Sequence, residues 1–166
     1  MKKEYASQVC HLHMLRAFFE DLGAWKQLRA ECGKPSDLDT QAYDDLFKGT
    51  DADIYIPLWA SACKGKGDIL LDDTTLEVIK FYKKHGYTHV IMDGNPPDFI
   101  GEQLRFLEYL TVCSRRENGA YDDYIEQFID LALLDTVKEL CKAIDALSSV
   151  HDDVLMICEQ LKAFVR

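Results

Sequence analysis

The sequence predicts an all-α fold, a single-domain helical bundle of six to eight helices spanning residues 1–166. Apolar residues recur at intervals of three and four along most of the chain, which is the spacing of one helix face. The only stretch with β character, Tyr87–Met92, is too short and isolated to build a sheet. The length also suits one domain with its own core.

Three helices are predicted in the first third of the chain. An apolar stripe runs through residues 9–22 and is ended by Gly23, and a shorter helix follows over residues 24–31. A third helix is opened by Ser36 as its cap and is ended by Gly49. These segments predict consecutive packed helices joined by short connections.

The next segment, Thr50–Leu71, breaks the helical pattern. Proline and glycine interrupt it, and it is unusually apolar and aromatic for a loop. Thr74 and Glu77 then form a capping box, which predicts the start of a helix that ends before Gly86.

Residues 95–110 contain the most informative helix start. Two prolines cannot lie inside a helix but can precede one, and Asp98 is positioned to cap the first free N–H groups. An apolar stripe follows at helical spacing, which predicts a buried helix. An acid at the positive end of such a helix can hold the fold together or recognise a ligand, and both roles remain open. The stripe consists of Ile100, Leu104, Leu107 and Leu110.

The C-terminal part predicts two further helices. A turn at residues 115–119 precedes a long helix over about residues 124–147, and a final helix carries the apolar stripe from Val154 to Phe164.

Charge limits the classes of partner. The net charge is −10 and the pI about 4.9, which argues against nucleic acid and favours a basic peptide, although the charge can also serve solubility alone.

The six cysteines are scattered without a C-x-x-C pair, so no disulfide framework is expected. No signal peptide is recognisable, and the longest uncharged stretch, Ile54–Cys63, is too short to span a bilayer. We therefore expect a cytoplasmic protein without a membrane span.

No motif predicts catalysis, a metal or a cofactor. The segment Cys63–Asp68 resembles a phosphate loop but lacks its first glycine and its Ser or Thr. On a helix, His11 and His13 point apart, and no second cluster accompanies them. The sequence therefore predicts a binding protein. One alternative is a small helical metal-assisted hydrolase using His85, His89 and nearby carboxylates.

Two acidic patches accompany this prediction. Such runs usually mark solvated helix faces. The first patch, however, adjoins the aromatic loop around Trp59, and this combination suits a peptide in which arginines precede an apolar segment. The first patch consists of Asp37, Asp39, Asp44, Asp45, Asp51 and Asp53, and the second of Asp122, Asp123, Glu126, Asp130 and Asp135.

Two motifs resemble the TorD-like family (TorD, DmsD and NarJ) of redox-enzyme maturation chaperones. Tyr43–Gly49 is similar to the family's aromatic-x-x-Leu-Phe-x-Gly segment, and Pro97, Asp98 and Gly101 match its proline–aspartate helix start. The order of the motifs extends the resemblance from about Asp37 to the C-terminus. The sequence departs from the family at three histidine or tryptophan positions, which are Phe99, Ala132 and Thr136 here, and Asn95 stands near the position of a family glutamate.

The resemblance implies an all-helical cytoplasmic chaperone for a molybdenum oxidoreductase of the dimethyl-sulfoxide-reductase type. Such a protein binds the twin-arginine signal peptide or the apo-enzyme of its client until the molybdopterin cofactor is inserted. Either a monomer or a dimer with exchanged helices is compatible with the sequence. A helical adaptor without a molybdoenzyme client is a further alternative.

We predict that a basic, apolar client segment binds in a groove beside the Pro97–Glu102 helix start. Tyr55 and Trp59 are the candidates for exposed anchors, since aromatic residues often dominate binding energy. Leu46 and Phe47 can instead belong to the core. The predicted binding residues are Tyr43, Asp44, Phe47, Tyr55, Trp59, Pro97, Asp98 and Glu102.

Overall fold

The computed structural model describes residues 2–49, 56–64, 72–89 and 94–166, and most of these residues lie in helices. A π-helical turn over Ile129–Leu133 joins helix α7 (Asp122–Phe128) to helix α8 (Leu134–Asp145) without a break, so these three segments form the long helix that was predicted from residue 124. The helices are α1 (Lys2–Glu20), α2 (Leu22–Glu31), α3 (Thr40–Phe47), α4 (Ala60–Lys64), α5 (Asp73–Lys84), α6 (Ile100–Arg116), α7 (Asp122–Phe128), α8 (Leu134–Asp145) and α9 (Asp152–Phe164).

The all-α prediction is confirmed. If the continuous run from α7 to α8 is counted once, the described ranges contain eight helices, within the predicted number. They contain no strand, and extended backbone pairs in them only as a single bridge between Trp59 and Phe99. None of these helices is both long and apolar enough to cross a bilayer.

Helices α1 and α6 pack along each other and form the centre of the bundle. Four apolar residues of α6 are fully buried, as predicted, and α1 contributes three more. The close approach of α1 and α6 depends on Gly101, because a Cβ atom at this position would lie 2.6 Å from the Phe99 ring and 2.8 Å from the Cγ of Glu20. The seven buried residues are Ile100, Leu104, Leu107 and Leu110 of α6 and Leu12, Leu15 and Phe18 of α1.

Several helix starts lie a few residues from their predicted positions. Helix α3 is capped by Asp39 rather than by Ser36, and α5 is capped by Asp72 rather than by Thr74. In both cases an aspartate oxygen accepts two backbone N–H groups of the first turn. Gly23 does not end α1 but lies inside α2.

The predicted irregular loop contains a short helix, α4, which the sequence analysis missed. Just before it, Ile56 and Leu58 are 2% and 4% exposed, so the apolar character of this segment reflects the core rather than an exposed surface. Two backbone hydrogen bonds hold the segment to the start of α6: Ile100 N to Leu58 O at 2.8 Å and Ala60 N to Asp98 O at 3.1 Å.

Candidate functional site

The proline–aspartate turn begins α6 and is fixed by hydrogen bonds within the turn and to neighbouring elements. The backbone N–H of Phe99 donates to Pro96 O at 3.0 Å, which closes the turn. The hydroxyl of Tyr82 on α5 donates to Pro97 O at 2.9 Å, and both of these residues are buried. The turn is therefore fixed by α5 on one side and by the segment leading to α4 on the other.

Asp98 does not cap its own helix, so this prediction is wrong. The cap position of α6 is Phe99, which makes no side-chain capping bond. The Asp98 carboxylate instead accepts the N–H of Ser61 at 2.8 Å, in the first turn of α4. Its backbone carbonyl also accepts the side-chain amide of Gln103 at 2.7 Å. Asp98 is 0% exposed, and its contacts join α4 to α6, so the geometry favours the structural role.

The aromatic motif on α3 packs this helix against α1. Tyr43 is 2% exposed, and its hydroxyl donates to Phe18 O at 2.8 Å. Phe47 is half-buried, with its ring centroid 5.8 Å from that of Phe18 and 6.0 Å from that of Phe19. Asp44, on the outer side, pairs with Lys48 at 3.0 Å. Of the three predicted binding residues in this motif, Asp44 and part of Phe47 are open to a partner.

Trp59 is half-buried and packs against the core, so only part of its surface is accessible. Its backbone pairs with that of Phe99, which places it at the start of α6. The second predicted anchor, Tyr55, lies outside the described residues.

A cleft of about 360 Å³ lies between α1, the beginning of α2 and the turn that starts α6. Of the predicted binding residues, Glu102 lines this cleft, next to the motif residue Phe99. Apolar side chains form part of the lining, and charged side chains form the rest. The apolar residues include Ala17, Ala24, Leu28 and Phe99, and the charged residues include Arg16, Glu20, Asp21, Glu102 and Arg105.

Glu20 is the centre of a charged network in the cleft. Both of its carboxylate oxygens lie 2.8 Å from Nη2 of Arg105, and Oε2 also lies 2.7 Å from Nη1 of Arg16. Arg16 additionally donates through Nε to Glu108 at 3.1 Å. The side chains of these four residues are 16–25% exposed, so solvent screens them only in part.

Glu102 extends the network towards α5. It is 6% exposed and accepts a 2.8 Å hydrogen bond from the hydroxyl of Tyr87. Its other oxygen lies 3.3 Å from Nε of Arg105. Burial, followed by the hydrogen bond to Glu102, raises the pKa of Tyr87, so this hydroxyl stays protonated and keeps donating. Burial alone would lower the pKa of Arg105, but its contacts with Glu20 and Glu102 outweigh burial and raise it.

The charges around the cleft do not balance. Among the described residues, three carboxylates line the cleft, a fourth contacts its Arg16, and two guanidinium groups oppose them, so two negative charges remain in excess when His13 is left out of the count. An excess of negative charge over an apolar lining favours a ligand that combines a cation with apolar groups. The carboxylates belong to Glu20, Asp21, Glu102 and Glu108, and the guanidinium groups to Arg16 and Arg105.

Sequence reasoning missed most of this network. The pairs Arg16–Glu20 and Glu102–Arg105 have the i,i+4 and i,i+3 spacing of ordinary surface ion pairs, so they carried no signal of a shared site. The contact between Glu20 and Arg105 joins residues 85 positions apart and depends on how α1 packs on α6.

The described histidines and carboxylates offer little for a metal ion. In the ranges that the structure describes, one group has the required spacing: Asp37, His151 and Asp153. However, the Asp153 carboxylate already pairs with Arg29 at 3.0 Å and accepts a hydrogen bond from Ser36. These contacts link α9 to α2 and to the segment before α3, which indicates a structural role. His85 and His89, which the hydrolase alternative required, belong to no such group within the same ranges.

Comparison with known proteins gives one match. The family model described as "Nitrate reductase delta subunit" matches residues 15–142, a range that contains both sequence motifs and the residues that line the cleft except His13. No curated protein and no solved structure matches the chain.

Proposed function

Because the chain belongs to the nitrate reductase delta subunit family, a TorD-like family of redox-enzyme maturation chaperones for molybdoenzymes, we propose that it is a cytoplasmic chaperone dedicated to one molybdenum oxidoreductase. The client is the catalytic subunit of an enzyme of the dimethyl-sulfoxide-reductase type. The chaperone binds the twin-arginine signal peptide of this subunit, its apo form, or both, and releases the subunit after cofactor insertion.

The observation that supports this proposal most strongly is the cleft beside the proline–aspartate turn. It combines an excess of negative charge with an apolar lining, at the motif that the family resemblance singled out. A client segment with arginines next to apolar residues complements both properties. Lysine and arginine differ here, because only the guanidinium group offers a planar fork of donors to a carboxylate.

The predicted binding residues divide into two groups under this proposal. Tyr43, Pro97 and Asp98 are buried and support the helices that carry the cleft. Glu102 contacts the client from the cleft, and the partly exposed Asp44, Phe47 and Trp59 extend the surface; Tyr55 lies outside the described residues.

The proposed role requires no bond-making step. A chaperone acts by binding one folding state of its client more tightly than another, and it is released when the client leaves that state. A negatively charged cleft with an apolar lining is sufficient for this, and no catalytic group is assigned.

The test is calorimetric titration of the full chain with a synthetic peptide that carries two consecutive arginines followed by an apolar segment. A twin-lysine peptide is titrated in parallel, each at low and at moderate salt. We expect tighter binding of the arginine peptide and weaker binding at higher salt, because exposed charges are screened over about 8 Å at physiological ionic strength. Equal affinity for the two peptides, or no salt dependence, would contradict recognition of the twin-arginine segment by the charged cleft.

A matched pair of variants locates the binding in the cleft. Glu102→Gln keeps an acceptor for Tyr87 but removes the charge, and we expect affinity for the arginine peptide to fall about tenfold, which corresponds to about 1.4 kcal/mol. Glu77→Gln makes the same change of charge at an exposed position on α5 and should leave the affinity unchanged. If the two variants behave alike, the peptide does not bind in the cleft.

A further inference from the structure

We propose that the cleft of the free protein is occupied by its own arginines, and that the arginine of a client binds by displacing Arg105 from Glu20. This inference rests on the proposed function, since it concerns how the same cleft is regulated. Arg105 and Arg16 are then internal competitors that lower the affinity of the cleft for a cationic client.

The hydrogen bonds on Glu20 leave little room for a second guanidinium group. An ionised carboxylate offers about four lone-pair positions. Arg105 lies within hydrogen-bonding distance of both oxygens and Arg16 of one of them, so the protein itself uses most of these positions. A client arginine can therefore form a two-bond pair with Glu20 only if an internal arginine moves away.

The internal pair does not use the best geometry available to it. The strongest arginine–carboxylate pair has two guanidinium nitrogens facing two oxygens. Arg105 instead approaches both oxygens of Glu20 with the single nitrogen Nη2, while its Nε lies 3.3 Å from Glu102. A client guanidinium that enters along the cleft can face Glu20 with its full fork, which favours the exchange.

Displacement does not leave either internal arginine without a carboxylate. Arg105 keeps Glu102, and Arg16 keeps Glu108 at 3.1 Å. The side chain of Arg105 is 25% exposed, so it also has access to solvent as it moves. The two negative charges in excess around the cleft provide the net attraction for one additional cation. The exchange therefore replaces one ion pair by one with better geometry, and each internal arginine still pairs with a carboxylate.

The test is titration of the arginine peptide into Arg105→Gln, which keeps a donor amide but removes the competing charge. Binding should become about tenfold tighter than in the wild type. Arg105→Lys keeps the charge but lacks the fork, so a smaller increase of affinity is expected. Arg115→Gln makes the same change of net charge at an exposed position in the last turn of α6 and should leave the affinity unchanged.

A purely structural role of Arg105 predicts a different result. In that case both Arg105→Gln and Arg105→Lys lower the melting temperature and leave the affinity for the peptide unchanged or weaker. This result would overturn the inference. An equal gain in Arg115→Gln would also overturn it, because the gain would then reflect net charge alone. If wild type and all variants fail to bind the peptide, the cleft does not bind a client arginine, and both this inference and the signal-peptide part of the proposed function fail. If wild type binds and Glu102→Gln weakens binding, but Arg105→Gln brings no gain, only this inference fails.

Discussion

At the scale of single residues, Asp98 illustrates how a motif residue can be essential without facing a ligand. It is fully buried, and its carboxylate and carbonyl oxygens satisfy the N–H groups of Ser61 and Ala60 at the start of α4. The sequence identified the residue and the capping chemistry but assigned them to the wrong helix. A contact between Asp98 and a helix that begins 38 residues earlier in the chain cannot be read from local spacing.

Replacement of Asp98 by alanine should destabilise the fold. It leaves the buried N–H of Ser61 without its acceptor, which typically costs about 1–3 kcal/mol. For a chain of this size we expect the melting temperature to fall by about 2–12 °C, at about 2–4 °C per kcal/mol. Thermal unfolding followed by circular dichroism measures the change, with the exposed Asp123→Ala as the control. A loss of peptide binding at an unchanged melting temperature would contradict the structural role.

At the scale of elements, the packing of α1 on α6 builds the cleft. The two helices approach closely at Gly101, and this contact brings Glu20 of α1 within reach of Arg105 of α6. The apolar stripes predicted both helices, because burial on one face imposes a period close to 3.6 residues. The stripes could not give their relative rotation, and it is this rotation that places the charged side chains together.

Gly101→Ala should therefore separate α1 from α6. A Cβ atom at this position lies 2.6 Å from the Phe99 ring and 2.8 Å from Glu20 Cγ, so both of these contacts must be relieved by a shift. We expect a net loss of about 1–3 kcal/mol of stability, although alanine alone favours a helix by about 1 kcal/mol. Urea unfolding measures this loss. Gly23→Ala in α2, where the nearest atom is a side-chain oxygen at 3.2 Å, is the control and should cost little. Equal stability of the two variants would contradict the close approach.

At the scale of the whole molecule, the fold class and the family were predictable, but the geometry of the binding surface was not. Helical periodicity predicted the bundle, and the two motifs predicted the relationship to redox-enzyme maturation chaperones. The family match confirms this relationship. Of the predicted surface, Glu102 lines the cleft although it is only 6% exposed, whereas Tyr43, Pro97 and Asp98 are buried and are not among the lining residues. Apolar and aromatic residues near a turn look alike in sequence whether they face the core or a partner.

In the proposed function, the chain binds a molybdenum oxidoreductase before cofactor insertion, through its negatively charged cleft. The most direct test is capture of the full chain with its partners from the organism that produces it, followed by identification of the bound protein and measurement of its molybdenum content. The account predicts the catalytic subunit of such an enzyme, depleted of molybdenum, bound to wild type and to Glu77→Gln but much reduced on Glu102→Gln. A partner that is not an oxidoreductase, or a molybdenum-loaded subunit bound as well as the apo form, would contradict it.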